Sequence, residues 1–168
     1  MMTGEFRPNI TGTHKQALQV LAFGSEESWD ACASKLLEND EDIHGFSALL
    51  AFSLGTLVRR KFPPPWSLRD IIQYVAGQRV KLGEDAAELN PRLTENIIRF
   101  LLGDASLEDP PHIGASSEEF TSTQMALWLL LAKEARLDEA GVDELVNEAS
   151  TNARNADWSL VTFPSPLE

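Results

Sequence analysis

The sequence predicts an all-α fold, a compact bundle of six or seven helices, and three observations carry that reading. Apolar residues recur at helical spacing in segment after segment, several segments open with a capping residue, and no glycine-rich phosphate loop or alternating strand pattern occurs. Two helix-turn-helix stretches also align. Ala48-Leu49-Leu50-Ala51-Phe52 precedes Leu68-Arg69-Asp70-Ile71-Ile72-Gln73, and Ala126-Leu127-Trp128-Leu129-Leu130 precedes Val142-Asp143-Glu144-Leu145-Val146-Asn147. The prolyl turn Pro63-Pro64-Pro65 accounts for the extra length of the first copy. Two pseudo-repeated helical hairpins are one expectation, although any two amphipathic hairpins match at their apolar positions. The period does not extend to a third copy, so a solenoid is not expected.

Residues 1–12, with Gly4, Pro8 and Gly12, read as an N-terminal arm that Phe6 and Ile10 would pin. Thr13 is the expected cap of a short helix ending at Gly24. Ser25 opens a second helix with the stripe Trp29, Ala33, Leu36 and Leu37. The acidic run Glu38-Asn39-Asp40-Glu41-Asp42 closes that helix and begins the next, where negative charge meets the positive end of the helix dipole. The third helix, Ile43 to Phe62, carries Phe46, Leu49, Leu50, Phe52, Leu54, Leu57 and Val58, and is expected at the centre of the fold.

Ser67 and Asp70 have capping-box spacing ahead of a fourth helix with Leu68, Ile71, Ile72 and Val75 as its buried stripe. Asn90-Pro91 starts a fifth helix, since proline suits the first helical position, and Leu93, Ile97, Ile98, Leu101 and Leu102 face inward until Gly103. Two prolines and two glycines make 103–116 a long irregular loop, the length at which loops are often functional. Ser116 and Glu119 cap the helix containing Met125 to Ala132, and Asp138 caps a last one over Glu139 to Ala156. Residues 157–168, anchored by Trp158 and Phe163, are expected as an extended C-terminal strap. At 168 residues the chain is expected to be a single all-helical domain over 13–156.

Composition narrows the function. A net charge of −12 works against binding phosphate backbones or anionic membranes. The single cysteine, Cys32, makes no internal disulfide and suits a reducing cytoplasm. Met1 to Phe6 lacks a basic-then-apolar secretory pattern, and the apolar stretch Phe46 to Val58 falls short of the roughly 20 residues needed to span a bilayer.

Catalytic signatures are sparse. Glu41 and His44 imitate one Glu-x-x-His element of di-iron bundles, but no second element occurs. Asp104, Glu108, Asp109 and His112 cluster on the loop as solvated charges, and His14 stands apart. Cys32 has no neighbouring histidine and no Gly-x-Ser-x-Gly elbow exists. Arg59, Arg60, Lys61, Arg69, Arg79 and Lys81 form the one basic excess, yet the fourth helix spends its residues on an apolar stripe and leaves only Arg69, Gln73 and Gln78 to read bases. Trp66 reads as closing the end of a bundle.

No catalytic residue, cofactor or metal is therefore expected. The expected function is an acidic, cytoplasmic protein-interaction or regulatory module, a homodimer with a basic protein partner, binding neither nucleic acid nor membrane. The rival is a helical sensor or enzyme holding a small apolar molecule between the hairpins, with loop 103–116 as lid.

Overall fold

The computed structural model describes residues 8–156, and the strap at 157–168 and positions 1–7 of the arm lie outside the described residues. Among the described residues the fold is all-α, with seven α-helices, one 3-10 segment and no strand. Two compact units emerge, one built from 8–53 with 132–156, the other from 54–131.

The first unit contains α1 (Gly12–Phe23), α2 (Glu26–Leu36), the beginning of α3 (Asp40–Lys61) and α7 (Glu139–Asn155), with α1 packed on both α2 and α7. α7 buries Val142, Leu145, Val146, Ala149 and Ala153, an i, i+3, i+4, i+7, i+11 face with polar residues opposite. Lys15 Nζ donates to Asn147 Oδ1 at 3.0 Å and Gln19 Nε2 to the Glu139 carbonyl at 3.1 Å, tying α1 to α7. Trp29 and Phe46 pack with ring centroids 5.9 Å apart. Ile10 and Phe52 cover a core contact between Ala48 and Ala153, so Ile10 does pin the end of the arm.

The second unit holds the rest of α3, then α4 (Leu68–Leu82), the 3-10 segment Gly83–Glu88, α5 (Pro91–Leu101) and most of α6 (Ser117–Glu134). α4 packs against α5 and the 3-10 segment. Phe62 meets Tyr74 edge-on at 5.5 Å, and Lys61 Nζ sits 5.1 Å above the same ring, which holds the first turn beyond α3. Trp66 is half-buried in the connection to α4.

Five predicted caps are in place. Ser25, Ser67, Asn90, Ser116 and Asp138 each accept the backbone N–H three residues on, from Ser28, Asp70, Leu93, Glu119 and Gly141 at 2.8–3.1 Å. Several expectations need correction. Thr11 rather than Thr13 caps α1, because the His14 ring completes the cap. Asn39 Oδ1 accepts from Asp42 N at 2.7 Å, so α3 begins three residues before Ile43. Leu37 is 70% exposed, since α2 ends at Leu36 and the next residue leaves the stripe. Leu68 and Ile72 are each 44% exposed, and the face α4 buries is Ile71, Val75 and Gln78 instead. The 3-10 segment had no expectation. It begins at Gly83, whose φ of +56° turns the chain off the end of α4 where a side chain would be strained.

Candidate functional site

In the second unit a cleft of about 960 Å³ lies between α5 and loop 103–116. One wall is the polar face of α5, with Asn90, Arg92, Glu95, Asn96 and Arg99. The other is the loop from Ser106 to Ala115, and Glu119 from the first turn of α6 completes the rim. The α5 wall exists because the helix is strongly two-faced. Leu93, Thr94, Ile97 and Ile98 go inward and leave the polar positions together on the outside.

A three-residue staple shapes the loop. Arg99 Nε donates to Asp104 Oδ2 at 2.7 Å and Arg99 Nη2 to Ser106 Oγ at 3.0 Å, while Ser106 N and Oγ both donate to Asp104 Oδ1 at 2.9 and 2.7 Å. The Asp104 N–H returns to the Arg99 carbonyl at 2.9 Å, so the chain folds straight back on the end of α5. These donors hold the Asp104 carboxyl down at about 2, the Arg99 and Ser106 side chains first, because each hydrogen bond favours the ionised form. Glu95, one turn before Arg99, shifts the other way. Burial raises its carboxyl, against the opposing pull of the Arg99 charge.

Gly103 and Gly114, at φ +75° and +85°, supply the left-handed backbone that brackets the loop. Within it Ile113 N donates to the Pro110 carbonyl at 3.1 Å and Ala115 N to the His112 carbonyl at 3.2 Å, consecutive turns that carry the loop to α6. His112 packs its ring edge-on to Phe120 at 6.1 Å.

The expected candidates are distributed as follows. Asp104 joins the staple, Glu108 and Asp109 line the cleft, and His112 turns to Phe120, so the loop cluster does not converge on one point. Glu41 and His44 lie in the first turns of α3, and among the described residues no three His, Cys, Asp or Glu side chains assemble for a metal ion. Cys32 is half-buried in α2, where burial pushes its thiol up against the lowering effect of Lys35. Its thiolate is thus disfavoured, the opposite of what a nucleophile needs. Of the basic residues, Arg79 Nε is turned to the Ala86 carbonyl at 3.4 Å and Lys61 lies over Tyr74.

One polar cluster escaped the sequence reading. His14 is 1% exposed, with Nδ1 accepting the Thr11 N–H at 3.0 Å and Nε2 facing Asp42 Oδ1 at 3.2 Å. Those partners assign the tautomer, since a ring nitrogen that accepts a backbone N–H carries no proton and the other is free to donate. The ring lies so close to Gly45 that a Cβ there would overlap it. The signal available was the Thr11-x-x-His14 spacing, in which imidazole replaces the usual Glu or Gln of a capping box. Its chemistry is structural: both nitrogens are spent on fixing the start of α1 to the start of α3.

No family model, curated protein or solved structure matches the chain. No described helix is long and apolar enough to cross a membrane.

Proposed function

We propose that the protein is a non-catalytic, acidic interaction module and that the α5 cleft receives a basic segment of a protein partner. The observation that carries this reading is the charge left at the cleft once the staple has formed. Arg99 is engaged by Asp104, which leaves Arg92 against the carboxylates of Glu95, Glu108, Asp109 and Glu119. The net charge of −12 adds a long-range field of the same sign. Such a surface speeds encounter with cations and repels phosphate. A partner supplying Lys or Arg on an extended segment fits both the sign and the open, polar form of the cleft. The single, burial-suppressed thiol suits a cytoplasmic setting.

The rival reading, a small molecule under loop 103–116, is favoured by one observation, that this loop does border a cleft. Its lining mixes Leu93, Leu107 and Ile113 with Asn90, Asn96, Arg92 and the carboxylates of Glu95, Glu108, Asp109 and Glu119, which suits a ligand with polar groups better than the wholly apolar one the sequence suggests.

The test is calorimetric titration with two peptides of equal length, one lysine-rich and one glutamate-rich, against the protein and its Glu108→Lys/Asp109→Lys variant. Selective binding of the lysine-rich peptide, weakening with salt and falling by about tenfold or more in the variant, is the expected result. Equal binding of both peptides, or an unaffected variant, would overturn the proposal. Native mass spectrometry of the freshly purified protein addresses the rival, which requires a co-purifying small molecule.

A further inference from the structure

The loop wall of the α5 cleft carries an apolar patch that its charge leaves unexplained. Leu107, Pro110, Pro111 and Ile113 all line the cleft, facing a lining that includes Leu93 of α5. The chain covers most of this patch itself, since Leu93 and Pro111 are buried and Leu107 and Pro110 half-buried. Ile113 is the exception, at 58% exposure. One exposed isoleucine on a convex surface would be ordinary. Within a concavity, however, an incoming side chain is enclosed from more than one side and loses more of its hydrated area.

The backbone fixes Ile113 before anything binds. Its N–H donates to the Pro110 carbonyl at 3.1 Å, and the next bond, Ala115 N to the His112 carbonyl at 3.2 Å, places it inside consecutive turns. Pro110 and Pro111 each restrict their own φ, which stiffens the approach to these turns. His112 is committed to Phe120, and Gly114 has open space where a side chain would begin, so neither neighbour covers the isoleucine. A contact ordered in the free protein costs a partner less entropy.

Charge identifies what meets it. Glu108 and Asp109 lie between Leu107 and Pro110 on the loop wall, and Glu95 and Glu119 line the cleft from α5 and α6. A wholly apolar segment would desolvate these carboxylates without compensation, and an acidic one would be repelled. A large aliphatic side chain standing among lysines or arginines meets both demands. We infer that Ile113 is the specificity-determining contact of the cleft, and that the segment it selects is amphipathic, with one large aliphatic residue among its cations. The inference rests on the basic partner proposed above and adds the feature by which one basic segment is preferred to another.

The test is calorimetric titration with three peptides of equal length: a lysine-rich one with a central leucine, the same peptide with alanine in place of leucine, and the leucine peptide with its lysines replaced by glutamine. The first should bind about tenfold or more tighter than either of the others. Added salt should weaken both lysine-rich peptides while leaving their ratio unchanged, because aliphatic burial is not screened as charge is. Ile113→Ser should keep the helical circular dichroism and lose the leucine preference, closing a double-mutant cycle between the two side chains. Equal binding of the leucine and alanine peptides, or a leucine preference that survives in Ile113→Ser, would overturn the inference and leave the basic-partner reading standing. Equally tight binding of the glutamine peptide would overturn both, as would failure of both lysine-rich peptides to bind.

Discussion

The side-chain amide of Asn90 holds two helices at once. Its Oδ1 accepts the Leu93 N–H at 3.1 Å and caps α5, while its Nδ2 donates to Glu119 Oε1 at 3.1 Å in the first turn of α6. Glu119 is itself fixed by its N–H to Ser116 Oγ at 3.0 Å. The rim of the cleft is therefore built from the beginnings of two helices, joined where the cap of α5 meets the first turn of α6.

Asn90→Ala removes both bonds and is expected to cost roughly 0.5–2 kcal/mol, read from the urea midpoint. Asn90→Asp separates the two roles. The cap survives, but a carboxylate now faces Glu119, so amide exchange at the start of α6 should accelerate while α5 stays protected. An Asn90→Ala protein as stable as the parent would show that neither bond contributes.

Leu50 is fully buried in α3, and its truncation to alanine should cost on the order of 2–5 kcal/mol through lost contacts and an unfilled cavity. Leu37, at 70% exposure, provides the control. Leu37→Ala should stay within about 0.5 kcal/mol of the parent. Equal effects of the two would contradict the burial of the α3 face.

Gly45 lies mid-helix, where alanine is ordinarily preferred by about 1 kcal/mol. Here the order should reverse. A Cβ would overlap the buried His14 ring and come within 2.8 Å of the Asn9 carbonyl oxygen. Overpacking typically costs about 1–3 kcal/mol, so the expected net effect of Gly45→Ala is destabilisation in thermal or urea unfolding. A stabilised variant would remove the case for a close His14 approach.

Asp104 has a folded-state pKa of about 2, below its ordinary value of 3.8. The group binds its proton more weakly when folded, so its contribution is fully present above the ordinary value and disappears as pH falls through that value toward about 2. The stability gap between the parent and Asp104→Asn should accordingly be widest at neutral pH and close across that acid window. A gap independent of pH would show that the Arg99 staple does not depend on the Asp104 charge.

What could be read from the chain follows from the range of the interactions concerned. Ser25, Ser67, Asn90, Ser116 and Asp138 were legible as caps because a cap is settled within four residues. The strongly amphipathic α5 was equally plain. On α4, by contrast, periodicity joined Leu68, Ile71, Ile72 and Val75 into a single stripe, and which of them turn inward is decided by packing against α5 and the 3-10 segment. His14 was passed over because its importance depends on Asp42 and Gly45, residues of another helix. The cleft was illegible for a related reason. The sequence marked loop 103–116 as long and irregular, but its path depends on Arg99 capturing Asp104 beyond the helix end.

The His14–Gly45 approach also constrains the order in which this sequence can change. At position 45 a side chain is obstructed from two sides, by the imidazole and by the Asn9 carbonyl oxygen, so loss of the imidazole removes only one obstruction. The two positions are epistatic, since alanine at 45 meets more resistance while His14 is present than after its loss. Among descendants of this chain, alanine at 45 should be found only where residue 14 is smaller and the backbone at Asn9 has shifted.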